Sequence, residues 1–210
     1  MKKIEDIEKD EERLKLYDEL THNNIKSLNE LNIRYLDLSL NILENSTFPN
    51  LAFSNFESLI SVILPRSLKS LGNSCFSMCK NLKDVDAFDC SESNSIKNKC
   101  FYCCNSVRSI KLTDSITIIE DRAFEYCSNL KIINMPKSLT KIDEMTFYSC
   151  KALESINLPN DLLCIGFMVF SSCDLLKSVC LPKKLKEIES SLFSHCNSLA
   201  SVYNQNQLKK

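Results

Sequence analysis

The chain has 210 residues, of which 44% are hydrophobic and 25% are charged, and its formal net charge is −1. It contains only two glycines, whereas a compact globule of this size would need more of them in its turns. No stretch is long and apolar enough to cross a membrane. The composition therefore favours an elongated unit whose turns close by repetition.

The first thirty residues differ from the rest of the chain. Ile4, Ile7, Leu14, Tyr17 and Leu20 fall at steps that suit one face of a helix among dense mixed charges. This spacing predicts an N-terminal helical cap over residues 1–30. The opening MKKIEDIEKDEERLK carries charge where a secretory signal would need an apolar run, so we expect a cytoplasmic protein.

From residue 31 to 203 the sequence repeats. A phenylalanine recurs every 23 residues, with one step of 25, and a cysteine follows it three residues later in six copies. Further apolar residues recur at three and six residues beyond the cysteine. A fixed period of this length predicts a solenoid of stacked coils. The two columns are Phe53, Phe76, Phe101, Phe124, Phe147, Phe170 and Phe193, and Cys79, Cys104, Cys127, Cys150, Cys173 and Cys196.

The unit L-x-x-I-x-L-P-x-x-L-x-x-I-x-x-x-x-F-x-x-C resembles the BspA-like class of leucine-rich repeats. The resemblance implies an α/β-type repeat solenoid, right-handed and curved, with a parallel concave sheet. It predicts about seven to eight coils over residues 31–203, followed by a short polar tail at 204–210. The alanine that usually precedes the phenylalanine in this family is present only at Ala123, and the glycine that often follows the preceding isoleucine position is present only at Gly72 and Gly166. Two extra residues near 88–95 should distort one coil.

Twelve cysteines would suggest a disulfide framework in a secreted protein. However, Phe56 occupies the cysteine position of the earliest copy, so this position serves packing, and we expect reduced cysteines. Cys75 and Cys100 should also be core residues, while Cys103, Cys164 and Cys180 should point outward.

Neither metal binding nor catalysis is favoured by the residues that could support it. Cys100, Cys103 and Cys104 could form half of a zinc site, but no second ligand pair follows at the required spacing. His195 and Cys196 are adjacent, so their side chains should point apart and not form a nucleophilic pair. We expect no enzyme activity, no metal and no cofactor.

The remaining candidate for function is the surface beside the inward residue of each concave strand, which we call the strand ledge. Its small polar residues either solvate the sheet or leave it open to a protein partner, for which Tyr35, Ile63, Ile132 and Tyr203 would be the anchors. The ledge consists of Tyr35, Asp37, Ser61, Ile63, Asp84, Asp86, Ser109, Lys111, Ile132, Asn134, Ser155, Asn157, Ser178, Cys180, Ser201 and Tyr203.

The sequence thus predicts a protein–protein interaction scaffold or adaptor. A surface adhesin and a regulatory module of an enzyme are the alternatives. Basic residues after the prolines, such as Lys137 and Lys184, are interrupted by Asp114 and Asp161, so we expect no nucleic-acid partner and no membrane insertion. The last coil lacks a polar cover, which predicts a homodimer through residues 185–208.

Overall fold

The computed structural model describes residues 13–15, 28, 32–39, 47–65, 68–85 and 94–204. Its strands are short, and every pairing among them is parallel. Each strand pairs with one or two strands that lie about one repeat away along the chain. The molecule is therefore a parallel-sheet solenoid of about seven turns of about 23 residues each.

The strands form two rows along the solenoid. The first row contains the hydrogen-bonded groups β1-β2-β3-β4, β6-β8 and β10-β12-β13, and the second row runs in the order β11-β9-β7-β5. In chain order the strands are β1 (Arg13–Lys15), β2 (Tyr35–Asp37), β3 (Ser61–Ile63), β4 (Asp84–Val85), β5 (Ser95–Ile96), β6 (Ser109–Lys111), β7 (Ile118–Ile119), β8 (Ile132–Asn134), β9 (Lys141–Ile142), β10 (Ser155–Asn157), β11 (Cys164–Ile165), β12 (Ser178–Leu181) and β13 (Ser201–Asn204).

The first-row strands arise from the I-x-L part of the repeat. Side chains alternate between the two faces of a strand, so one apolar residue between two polar ones gives a strand with one buried face. In β10, for example, Ile156 is 4% exposed between two exposed neighbours. Pro159 follows soon after this strand and has no N–H to donate to a ladder, and its carbonyl accepts the Leu162 N–H at 3.2 Å in a turn.

The segment around each phenylalanine has an unusual backbone. In the coil of Phe124, the residues two before and two after it, Arg122 and Tyr126, have φ of 56° and 61°. The N–H groups of all three residues donate to carbonyls of the next coil at 2.9 Å. The left-handed conformation is unfavourable for residues with a Cβ, but here it turns alternate N–H groups toward one neighbour. Repeated hydrogen bonds between coils hold these turns, and neither glycine has a positive φ.

The interior follows the predicted columns. Successive phenylalanine rings from Phe53 to Phe193 are stacked at centroid distances of 5.1 to 5.8 Å, with planes within 8° of parallel. The column cysteines from Cys79 to Cys173 are fully buried beside them. Cys75 and Cys100 are buried as well, as the repeat predicted.

The cysteine column also makes a hydrogen bond that the sequence did not indicate. The Cys150 thiol donates to the Phe124 carbonyl of the preceding coil, with 3.2 Å between sulfur and oxygen. The same carbonyl accepts the Cys127 N–H at 3.1 Å. Equivalent thiol bonds of 2.9 to 3.3 Å recur at Cys79, Cys104, Cys127, Cys173 and Cys196.

The predicted N-terminal helical cap is not supported. Arg13–Lys15 forms β1, which pairs in parallel with β2, so the segment begins the first row of strands. Backbone pairing with the exposed edge of β2 has prevailed there over the helical spacing of the apolar side chains. Leu28 is buried, and the rest of residues 1–30 lie outside the described residues. The two-residue insertion near 88–95 also falls largely outside them.

Candidate interaction surface

The strand ledge is built by the register of the first-row strands. Ser109 lies beside Ile132 and Lys111 beside Asn134 in the pairing of β6 with β8. In β10, β12 and β13 the first ledge position is serine in all three strands, and these serines are paired in register. The predicted positions thus form two columns of side chains that run along the solenoid, although Asp86 lies outside the described residues.

The ledge is polar and its side chains are short, with a few apolar exceptions. Ile132 is 60% exposed and Tyr35 is 38% exposed, whereas Ile63 and Tyr203 are half-buried. Asp37 has a structural task, since its carboxylate accepts the Ser39 N–H at 3.0 Å. Of the four expected anchors, Ile132 is therefore the most accessible, and it lies near the middle of the ledge.

A column of positive charge borders the ledge. Lys83, Arg108 and Lys131 each precede the first residue of a first-row strand, and all three are exposed without an ion pair in the described part of the chain. We call these three residues the basic column. The Lys131 N–H donates to the Arg108 carbonyl at 2.9 Å, which places them on adjacent coils.

Sequence reasoning missed the basic column, although a signal was present. Each of the three residues follows the apolar residue that lies three beyond the cysteine position, as in Leu82-Lys83 and Leu130-Lys131. A comparison of the polar positions between copies, and not only of the apolar ones, would have identified it.

Cys104 and Cys196, which could suggest chemistry, belong to the cysteine column, where each thiol donates to a backbone carbonyl. The Cys196 thiol donates to the Phe170 carbonyl at 2.9 Å, while the adjacent His195 is exposed. Cys104 is buried in the core, and this burial raises the pKa of its thiol, which opposes formation of a metal-binding thiolate. Among residues with a described placement, no three His, Cys, Asp or Glu side chains form a group that could hold a metal ion.

The lysines after the prolines do not form a continuous basic stripe. The Lys141 ammonium lies 2.7 Å from the Asp143 carboxylate, and Lys184 forms an ion pair with Asp161. These neighbours lower the positive potential that a phosphate backbone would require. In the part of the chain that the structure describes, no helix has the length and apolar character needed to span a membrane.

Stacked parallel coils with inward phenylalanine and cysteine columns define a solenoid repeat protein. The chain belongs to the BspA type leucine-rich repeat family, whose model matches residues 9–93 and 94–210, with six copies of the repeat. This confirms the resemblance seen in the repeat unit. No curated protein sequence matches the chain.

Solved structures of bacterial proteins share the fold. A leucine-rich repeat protein from Bacteroides ovatus is 25% identical with a TM-score of 0.64, over 89% of this chain and 48% of that one. A leucine-rich repeat protein from T. pallidum is 26% identical with a TM-score of 0.55, over 81% and 72%. A leucine-rich cell surface protein from Faecalibacterium prausnitzii is 21% identical with a TM-score of 0.56, over 82% and 57%. This chain thus spans about half the length of the first and third of these proteins.

Proposed function

We propose that this protein is a non-catalytic protein–protein interaction scaffold or adaptor that binds its partner on the strand ledge. The observation that carries this proposal is the exposed Ile132, a large apolar side chain between the shorter Ser109 and Ser155 of neighbouring strands. Isoleucine also favours strand backbone, but a large apolar side chain among short polar ones contributes much of the binding energy when it lies at the centre of a contact.

The extended shape of the ledge also supports recognition of a protein. Repeat solenoids present a long surface whose side chains come from many coils, so a partner can contact several strands at once. The short serine and asparagine side chains lower the conformational entropy lost on binding, because they have few rotamers to restrict. A right-handed, curved course would place this ledge on the concave side.

A matched pair of charged substitutions tests the role of the ledge. Leu175 is 47% exposed and is not a ledge residue, so Leu175→Asp makes a comparable apolar-to-acidic change at another position. We expect cross-linking of the native protein in its source cells, followed by mass spectrometry, to recover a partner with the wild type and with Leu175→Asp, but not with Ile132→Asp. Loss of the partner with Leu175→Asp alone would show that another surface binds it.

We also propose that the protein works in the reducing cytoplasm. The column thiols act as hydrogen-bond donors, and oxidation to disulfides would remove these donors. Cell fractionation with thiol titration tests this. We expect a cytoplasmic fraction with twelve titratable thiols after denaturation, one for each cysteine of the sequence. Surface labelling together with fewer free thiols would instead support a role in contact with a host.

The C-terminal coil supports a further proposal, that two copies associate end to end through residues 185–208. Ile188 is 55% exposed and Val202 is 44% exposed, whereas their equivalents one coil earlier, Ile165 and Val179, are buried. Covering this apolar surface would remove it from water, and a two-fold contact would leave no further edge to extend.

A further inference from the structure

The basic column places like charges on consecutive coils. Lys83, Arg108 and Lys131 occupy the same position of three successive repeats, and Arg108 and Lys131 directly precede the paired strands β6 and β8, whose backbones lie about 5 Å apart. Like charges directly opposite one another are unfavourable across paired strands. Lys111 adds a fourth exposed cation at the far end of β6, again without an ion pair among the described residues.

Elsewhere the solenoid pairs opposite charges between neighbouring coils. Lys80 lies 3.0 Å from Glu57, and Lys177 lies 3.1 Å from Glu154, in each case across one repeat. Glu154 follows Lys131 in the same column, and the pKa of its carboxyl is lowered mainly by the hydrogen bond and charge of Lys177 and to a smaller extent by the charge of Lys131. Asp84, which is exposed in β4, directly follows Lys83 and offsets part of its charge. The basic column therefore retains an excess of positive charge beside the most exposed apolar residue of the ledge.

This juxtaposition indicates the chemistry of the partner. The guanidinium of Arg108 suits a carboxylate because it can donate two parallel hydrogen bonds, and the lysines add mobile cationic donors. Ile132 provides an apolar contact within the same strip of the surface. The ledge positions of β6, β8 and β10 contain no aromatic residue, whereas single-stranded nucleic acids are commonly bound by stacking on aromatic rings.

We infer that the strip formed by the basic column, Lys111 and Ile132 binds an extended acidic segment of a protein, with carboxylates against the cations and an apolar side chain against Ile132. This inference rests on the proposed interaction function and specifies the class of partner. Electrostatic steering by the basic column would speed association and make it dependent on salt.

A peptide-binding assay tests the inference with the full chain. The probes are a short fluorescein-labelled peptide of glutamates around a central leucine, the same peptide with lysine in place of glutamate, and an oligothymidylate. We expect fluorescence anisotropy to show binding of the glutamate peptide alone, weaker at about 200 mM than at about 50 mM salt. Replacing the central leucine with serine should also weaken binding.

Two double variants with the same change in net charge locate the site. Arg108→Glu with Lys131→Glu should weaken binding of the glutamate peptide by about tenfold or more. The control is Lys137→Glu with Lys151→Glu, which changes two exposed lysines that are not part of the strip and should leave the affinity within about twofold. Circular dichroism at increasing temperature verifies that each variant is folded, and a neutral pair, Arg108→Gln with Lys131→Gln, provides a second test should the charge reversal unfold the chain.

Several results would overturn the inference. These are no binding of the glutamate peptide at about 1 mM, equal binding of the oligothymidylate, or equal effects of the two double variants. The natural partner from the cross-linking experiment separates this inference from the proposed function. Were Ile132→Asp to abolish that partner while the charge variants retained it, the interaction function would stand and the acidic partner would be wrong.

Discussion

The buried cysteine column offers the most direct test of how the coils are held together. We predict that Cys150→Ala lowers the free energy of unfolding by about 2 kcal/mol. The substitution removes a fully buried sulfur and leaves a small cavity, which costs about 0.5–1.5 kcal/mol by analogy with the loss of one methylene. It also removes the 3.2 Å thiol bond to the Phe124 carbonyl, worth about 0.5–1 kcal/mol for a weak donor.

The serine variant separates these two contributions. Cys150→Ser keeps a donor, but its hydroxyl must be removed from water and its shorter bond places oxygen further from the carbonyl. We expect a loss of about 1–2 kcal/mol, smaller than that of alanine if the hydrogen bond is partly retained. The exposed Cys164, which lies outside the cysteine column, is the control, and Cys164→Ala should change stability by no more than about 0.5 kcal/mol.

Differential scanning calorimetry checks these values. For a chain of this length, a loss of about 2 kcal/mol corresponds to a decrease in melting temperature of roughly 4–8 °C. Equal melting temperatures for Cys150→Ala and Cys164→Ala would refute the argument that the column cysteine both fills space and donates to the preceding coil.

Four other predictions follow from the structure. Phe147→Ala should cost about 3–5 kcal/mol in urea unfolding. Phe193→Ala should cost much less, because its ring is partly exposed and stacks on a single ring among the described residues; equal costs would contradict the stacking argument. Gly166→Ala should destabilise the fold by about 1–3 kcal/mol in the same assay, because a Cβ there would lie 2.7 Å from backbone of the preceding coil. Burial raises the pKa of the Glu125 carboxyl, so its ionised form weakens the fold above the folded-state pKa. Glu125→Gln should therefore raise the melting temperature at about pH 7.5 but not below about pH 4. A gain that is independent of pH would show another cause. Val202→Asp should shift any end-to-end dimer toward monomer in sedimentation equilibrium, and an unchanged dimer would place its contact elsewhere.

The exposed ledge could be located from the repeat, but its electrostatics could not. Alternation along a strand places Ser109 and Lys111 outward once Ile110 is assigned to the core, so local sequence was sufficient. Whether a lysine is neutralised depends on a residue one repeat away and on the direction of both side chains. Lys177 finds Glu154 in this way, whereas Lys131 keeps no ion pair in the described part of the chain.

The N-terminal segment shows where periodicity is insufficient. The apolar spacing around Leu14 suited one face of a helix, yet Arg13–Lys15 pairs with β2 as a strand. The spacing of apolar residues shows which side chains could share one face of a helix. It gives no information about the unpaired backbone N–H and C=O groups at the edge of β2, with which this segment can pair. Whether this segment forms a helix or a strand is decided by its tertiary contacts, which outweigh local propensity.

The sequence by itself determined the repeat, its inward phenylalanine and cysteine columns, and the register of the ledge, because each copy displays the same apolar pattern along the chain. Only the tertiary structure decided how the coils are joined. Arg122 and Tyr126, on either side of Phe124, adopt the left-handed backbone conformation although neither is a glycine, because in this conformation their N–H groups donate to carbonyls of the next coil. The thiol of Cys150 is a donor because the Phe124 carbonyl lies within its reach one coil away. Hydrogen bonds between coils join residues more than twenty positions apart, and their geometry is therefore fixed only when the coils are stacked.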